Sequence, residues 1–257
     1  MKITILGAGA SSGVPQLGLG WGRCDRQEPR NRRRRFSILV QTAGRTLLID
    51  TSPDCRAQLL DAGVSRLDGV LYTHEHADHC HGIDDLRWIC LAMQADLPIY
   101  GAPETLAALQ ARFQYCFTPL APGAGGYYYK AVLRPIPASS PFSIVGVPVI
   151  PFPQTHGRGT STGYRIGDFA CSTDVSDLSD AAFAVLEGVR LWAVDALQPE
   201  PHPTHADLQR TLGWIARVRP ERAVLIHMNA QMDYQTVRGL VPPGVEPGYD
   251  GLTLQVP

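Results

Sequence analysis

Four residues able to ligate a transition metal stand within six positions in Thr73-His74-Glu75-His76-Ala77-Asp78-His79, the pattern H-x-H-x-D-H. With 8 His and 17 Asp among 257 residues, chance supplies on the order of 5 × 10⁻⁴ such matches per chain, so the segment carries information that most short motifs do not. Imidazole and carboxylate together suit zinc, manganese or iron. Four ligands packed so closely cannot all reach one ion without crowding, and two ions sharing the loop is the easier geometry. Each ion then needs ligands from elsewhere. Three candidates end apolar runs in the same way: His156 after Val147–Phe152, Asp174 after Asp168–Ser172, and His227 after Ala223–Ile226. Any one of them alone reads as an ordinary core or capping residue. Beside the loop, they become ligand candidates.

The elements that must position these side chains follow from periodicity. Runs rich in Val, Ile and Leu predict strands at 2–6, 36–42, 45–50, 69–73, 144–152, 163–172, 190–195, 222–227 and 252–256. Amphipathic segments predict helices at 53–62, 82–92, 103–115, 179–187, 205–218 and 231–240. The alternation is that of an α/β chain. The motif falls in a strand-to-helix loop, where such folds expose their sites. Thr204 and Asp207 stand in capping-box spacing and make His205 the first residue of the 205–218 helix. The Pro- and Gly-rich stretch 118–141 around Tyr127-Tyr128-Tyr129 reads as a long surface loop. Gly7-Ala8-Gly9-Ala10-Ser11-Ser12-Gly13 mimics a dinucleotide loop, but Ser12 and Pro15 break the pattern, and tight turns explain the glycines better. With no repeat and no linker-like stretch, residues 1–257 read as a single domain.

Composition narrows the function. Lys plus Arg is 23 and Asp plus Glu is 24, a formal charge of −1, which provides no global field for coating a polyanion. The one basic run, Arg30 with Arg32-Arg33-Arg34-Arg35, has two readings: a solvated turn, or a contact for substrate phosphate. Six cysteines without a C-x-x-C pair argue against a zinc ribbon or a secreted disulfide framework. No run reaches the roughly 18 apolar residues of a membrane span, and Met1–Gly7 enters a strand without a signal-peptide pattern. A cytoplasmic location is expected.

These residues resemble the metallo-β-lactamase superfamily, whose hallmark is this H-x-H-x-D-H loop followed by a separate His, an Asp and a final His. Within it the chain looks most like the phosphoribosyl cyclic phosphodiesterases of the carbon-phosphorus lyase pathway, the PhnP-like family. Gly7–Pro15, the Arg-rich run before Phe36-Ser37, Leu48-Ile49-Asp50, Leu86-Arg87-Trp88 and His205-Ala206-Asp207-Leu208 carry that closer likeness. The resemblance implies a four-layer αββα sandwich with two divalent transition-metal ions, zinc or manganese, at its rim. It assigns His74, His76 and His156 to one ion, Asp78, His79 and His227 to the other, and Asp174 to both. It implies Asp50 as support for the ligand loop, though an Asp ending a strand and capping the next helix reads equally well. Asp78 and His205 are the implied catalytic residues, and Arg87 is a weaker candidate for supporting or contacting substrate. One departure is visible. The related enzymes hold a further structural zinc with a cysteine cluster and a second His, whereas Trp21–Arg26 offers Cys24 alone and His227–Ala230 offers no second His, so that zinc is expected to be missing.

The function this implies is a dinuclear metal-dependent phosphodiesterase acting on a small, in one form cyclic, phosphate diester, with a second copy of the chain as the one protein partner considered. The alternatives are a nuclease of the tRNA 3′-processing type, which needs a substrate-gripping surface not evident in the sequence, and a non-catalytic scaffold around a metal site, which the complete ligand set disfavours.

Overall fold

The computed structural model describes residues 1–118 and 133–256. Two seven-stranded sheets face each other. In the first, β1 (Lys2–Gly7), β2 (Ser37–Thr42), β3 (Arg45–Ile49), β4 (Gly69–Leu71), β5 (Leu97–Gly101) and β6 (Leu133–Pro137) follow one another, and the C-terminal β14 (Thr253–Gln255) flanks β1. The second sheet runs β7 (Phe142–Ile144), β8 (Val147–His156), β9 (Gly159–Ile166), β10 (Phe169–Ser172), β11 (Leu191–Asp195), β12 (Arg222–Ile226) and β13 (Val245–Pro247). β3 to β6 and β10 to β13 pair in parallel, and the remaining pairs are antiparallel.

Alternation along the strands builds the layers. Ile3, Ile5, Ile38, Val40, Leu47 and Ile49 face inward and pack with Val149, Ile166, Phe169, Cys171, Ala193 and Val224 of the other sheet in one buried cluster. The opposite faces are covered by helices. Leu48, Val70 and Tyr72 meet α1 (Cys55–Asp61), α3 (Leu86–Met93) and α4 (Pro103–Arg112). Trp192, Val194 and Leu225 meet α6 (Asp180–Leu186), α7 (Leu208–Val218) and α8 (Tyr234–Leu240). Two short helices, α2 (Ala77–Cys80) and α5 (Gln114–Phe117), complete the set among the described residues. The result is the αββα sandwich. None of these helices is long and apolar enough to cross a membrane.

Several expectations change. The predicted strand 163–172 is a hairpin, β9 and β10, turned at Gly167, whose φ of +57° suits a residue without Cβ. Of the expected 118–141 loop, residues 119–132 lie outside the described residues, while Leu133–Pro137 is a strand; its prolines are tolerated because β6 is the terminal strand of the sheet as described. The helix expected from His205 begins at Leu208 instead. Asp207 is its N-cap, accepting from the Arg210 N–H at 2.9 Å, so the capping-box pairing with Thr204 does not form and His205 stays in the preceding loop. Gly7 and Gly9 open no long helix. A Cβ on either would lie 2.0 Å from the Arg35 carbonyl oxygen or 2.8 Å from that of Arg34, so they serve close backbone approach.

Candidate metal centre

The ends of the parallel strands converge at one rim. Asp50 follows β3, the motif follows β4, Asp174 follows β10, and His227 follows β12, while His156 ends β8. Asp50, Asp174 and His227 have φ of +58°, +51° and +57°. Left-handed backbone is costly for residues with a Cβ and collects where function over-determines the conformation. All three residues are at most 2% exposed. The predicted residues form two groups: His74, His76, His156 and Asp174, and Asp78, His79, Asp174 and His227, with ligand atoms in each group within 4.8 Å of one another.

Asp174 divides its oxygens between them. Oδ2 lies 3.7 Å from Nε2 of both His74 and His156. Oδ1 lies 3.0 Å from His79 Nε2 and 3.2 Å from His227 Nε2, and Asp78 Oδ2 is 3.2 and 3.3 Å from the same two nitrogens. Burial would raise the Asp174 carboxyl, but His227, His79 and His74 hold it well below the usual carboxylate range. Burial pushes His74 well below its ordinary value, and the neighbouring His79 adds to it.

His74 and His79 face the cluster with a bare Nε2, and hydrogen bonds on the other side of these two rings explain why. His79 Nδ1 donates to Asp50 Oδ2 at 2.7 Å. Thr73 Oγ1 donates to the same oxygen at 2.7 Å and accepts from His74 Nδ1 at 3.0 Å, while the Thr73 N–H donates to Asp50 Oδ1 at 2.8 Å. Asp50 therefore sets the tautomer of His79 directly and that of His74 through Thr73. His156 Nδ1 donates to the Thr204 carbonyl at 2.8 Å. His74 Nε2 and His79 Nε2 are buried without a hydrogen-bond partner, leaving lone pairs aimed at carboxylate oxygens only 3.0 to 3.7 Å away. Lone pairs and carboxylates repel at that range. Cations between them turn the repulsion into coordination, so the donor set fits divalent metal ions.

His205 sits at the edge of the cluster, its side chain 11% exposed. Its Nδ1 donates to Asp195 Oδ2 at 2.9 Å, and Nε2 points inward, 3.9 Å from Asp174 Oδ2. Its ring stacks on His227 with centroids 4.9 Å apart. Burial works against protonation of His205, but the hydrogen bond and charge of Asp195 raise it above its ordinary value. Asp195 also accepts from the Val175 N–H and is fully buried. Sequence reasoning missed it, although the signal was present: it ends the apolar run Leu191–Val194 as Asp174 ends its own. A cavity of about 420 Å³ opens over the cluster, walled by hydroxyls of Ser11, Thr105, Thr160 and Thr162 and by the carboxylates of Glu75 and Glu104.

Other candidates lie elsewhere. Arg87 pairs with Asp84 at 2.7 Å and lies over the Tyr115 ring, outside the described lining of this cavity. His81, two positions beyond the motif, caps α2 and meets Phe113 edge-on. In the arginine run Arg30 pairs with Glu28, Arg34 with Asp61 and Arg35 with Asp54. Arg33 is 2% exposed and donates to Asn31 and to the Met232 carbonyl. The run is a structural seam away from the cluster rather than a cradle for the reacting phosphate. Cys24 packs with Val14, Ala230 and Trp21.

The beta-lactamase superfamily domain matches residues 45–228. A crystal structure described as a new diphosphatase from the PhnP family superposes with a TM-score of 0.90 at 31% identity, covering 100% of this chain and 98% of that one. An octanoyltransferase of Porphyromonas gingivalis is 35% identical over 255 residues, 98% of this chain and 51% of its own length; the chain thus spans about half of that relative. A ribonuclease Z of Bradyrhizobium diazoefficiens is 40% identical over 82 residues, 30% of this chain and 27% of its own length.

Proposed function

This chain belongs to the beta-lactamase superfamily in its PhnP-like branch, and we propose that it is a metal-dependent hydrolase that holds two divalent ions and cleaves a small phosphate diester, cyclic ribose phosphates included. The single observation that carries the proposal is the pair of His/Asp groups that share Asp174, each with an unpartnered inward nitrogen, His74 Nε2 in one and His79 Nε2 in the other, with an Asp195-held His205 beside them. Residues 1–257 act as one hydrolase domain in this reading.

His74, His76 and His156 would hold one ion, Asp78, His79 and His227 the other, and Asp174 both. Such ions supply Lewis acidity toward phosphoryl oxygens and acidify water. The chain's own residues do the rest. Asp50 and the Thr204 carbonyl fix the tautomers of His79, His74 and His156, so their lone pairs face the centre at no cost in reorientation. Asp195 orients His205 and favours its protonated form. His205 Nε2 is therefore placed to donate a proton to the departing ester oxygen as negative charge develops there. A hydroxyl-lined wall orients the organic part of the substrate by hydrogen bonds.

The test is turnover of bis(p-nitrophenyl) phosphate with and without chelator, followed by a panel of cyclic ribose phosphates, cyclic nucleotides and tRNA precursors. Metal-dependent turnover concentrated on small diesters supports the proposal. Preference for tRNA precursors would replace it with the nuclease reading, which the ribonuclease Z match over 82 residues favours, and absence of any metal-dependent turnover would leave a binding scaffold.

A further inference from the structure

A second cavity, about 650 Å³, lies on the outer face of the first sheet and shares no lining residue with the one over the His/Asp cluster. Its floor explains why it is open. Where helices cover this sheet the outward residues are apolar, as Leu48 and Val70 are. On β1, β2 and β14 the outward positions around Leu6 and Leu39 are Lys2, Thr4, Gln41 and Thr253 instead, a pattern for a solvated face.

One wall is the 29–34 segment, which brings Arg30, Arg32 and Arg34 to the cavity beside Lys2. Two carboxylates face these four cations, and both are engaged. Asp61 pairs with Arg34 at 2.7 Å, and the Asp250 oxygens accept from the backbone N–H of Ala8 and of Arg34 at 3.1 and 2.8 Å. Arg30 is held by Glu28. Among the described residues, Lys2 and Arg32 have no carboxylate within ion-pair distance, and both are exposed. The backbone presenting them is rigid, because buried Arg33 ties the segment to Asn31 and Met232, and Arg35 ties it to Asp54. A fixed backbone at Arg32 leaves side-chain ordering as the main conformational cost of binding an anion there. Tyr249, edge-on to the Tyr234 ring that Arg30 covers, adds an aromatic residue to the lining.

From two exposed cations without a carboxylate partner, Lys2 and an Arg32 that lies over the Trp21 ring, an aromatic residue in the lining and a volume suited to a nucleotide-sized molecule, we propose that this cavity binds a small phosphate ester carrying a planar ring, of the nucleoside monophosphate class, at a site separate from the reacting centre. The phosphate meets Lys2 and Arg32, and the ring lies against Tyr249.

Titration calorimetry on the metal-loaded protein with AMP, adenosine and inorganic phosphate tests this. AMP is expected to bind at least tenfold more tightly than adenosine, more weakly as salt rises. The double variant Lys2→Glu, Arg32→Glu should weaken AMP binding at least tenfold, and phosphate binding with it, while turnover of bis(p-nitrophenyl) phosphate and the melting temperature stay at the parent values. Adenosine binding as tightly as AMP would overturn the proposal, as would AMP affinity unchanged in the double variant. A parallel loss of turnover would overturn it too, since binding would then belong to the reacting centre.

Discussion

Replacing Asp50 by Asn changes one atom in a fully buried side chain that accepts three hydrogen bonds, from the Thr73 N–H, the Thr73 hydroxyl and His79 Nδ1. The amide has one acceptor oxygen where the carboxylate has two. If its NH₂ occupies the Oδ2 position, it donates to Thr73 Oγ1 or His79 Nδ1, and both relays reverse. His79 then carries its proton on Nε2, and the Thr73 hydroxyl turns toward His74 and drives its proton to Nε2 as well. Two lone pairs leave the cluster together. If the amide flips, the NH₂ faces the Thr73 N–H, and a buried donor without a partner costs about 1–3 kcal/mol. Either orientation weakens ion binding or stability by a comparable amount. Loss of a hydrogen-bonding partner behind a metal-ligating His typically costs about 10–100-fold in affinity, or about 1.4–2.8 kcal/mol. The assay is elemental analysis after dialysis against graded chelator, with circular dichroism to verify folding. The expected outcome is a folded protein that releases both ions at about 10–100-fold weaker chelation than the parent. A folded Asp50→Asn variant with parental affinity and no loss of stability would refute the relay through Thr73.

Four further variants have outcomes that follow from the structure. His205→Ala should spare metal content and lower kcat by roughly 10²–10⁴, with a smaller loss for diesters whose leaving group has a low pKa; a loss below about tenfold on every diester sinks its role as proton donor. Asp174→Ala should remove both ions or their coupling, whereas Cys24→Ser should leave metal content unchanged, both read by elemental analysis. Asp233 caps α8, and despite partial burial its hydrogen bonds from Thr236, Asp25 and Asn31 pull the carboxyl to about 2. A carboxyl lowered by folding stabilises fully above its unfolded value near 4 and loses that contribution as pH falls through about 2. Asp233→Ala should thus cost about 1 kcal/mol at pH 7, measured by urea denaturation, and the difference from the parent should shrink toward pH 2.

The candidate ligand loop was legible in the amino-acid order because four of the clustered residues are near neighbours, and the strand-ending His156, Asp174 and His227 were legible because a polar residue closing an apolar run is visible locally. The layers were legible for the same reason, since the period-2 and helical patterns report which face of each element is buried. Partnership was not. Asp195 and His205 are ten positions apart, and the capping signal at Thr204 placed His205 in a helix until Asp207 proved to be the residue that caps Arg210. The arginine run shows the limit most clearly: five like charges in six positions carry no record of Glu28, Asp54 and Asp61, which neutralise three of them, or of the Met232 carbonyl that draws Arg33 inside. Local patterns encode burial and backbone conformation, which depend on neighbours a few residues away. Charge pairing and the direction of a histidine's lone pair depend on which distant segments the sheets bring together, and only the tertiary structure decides that.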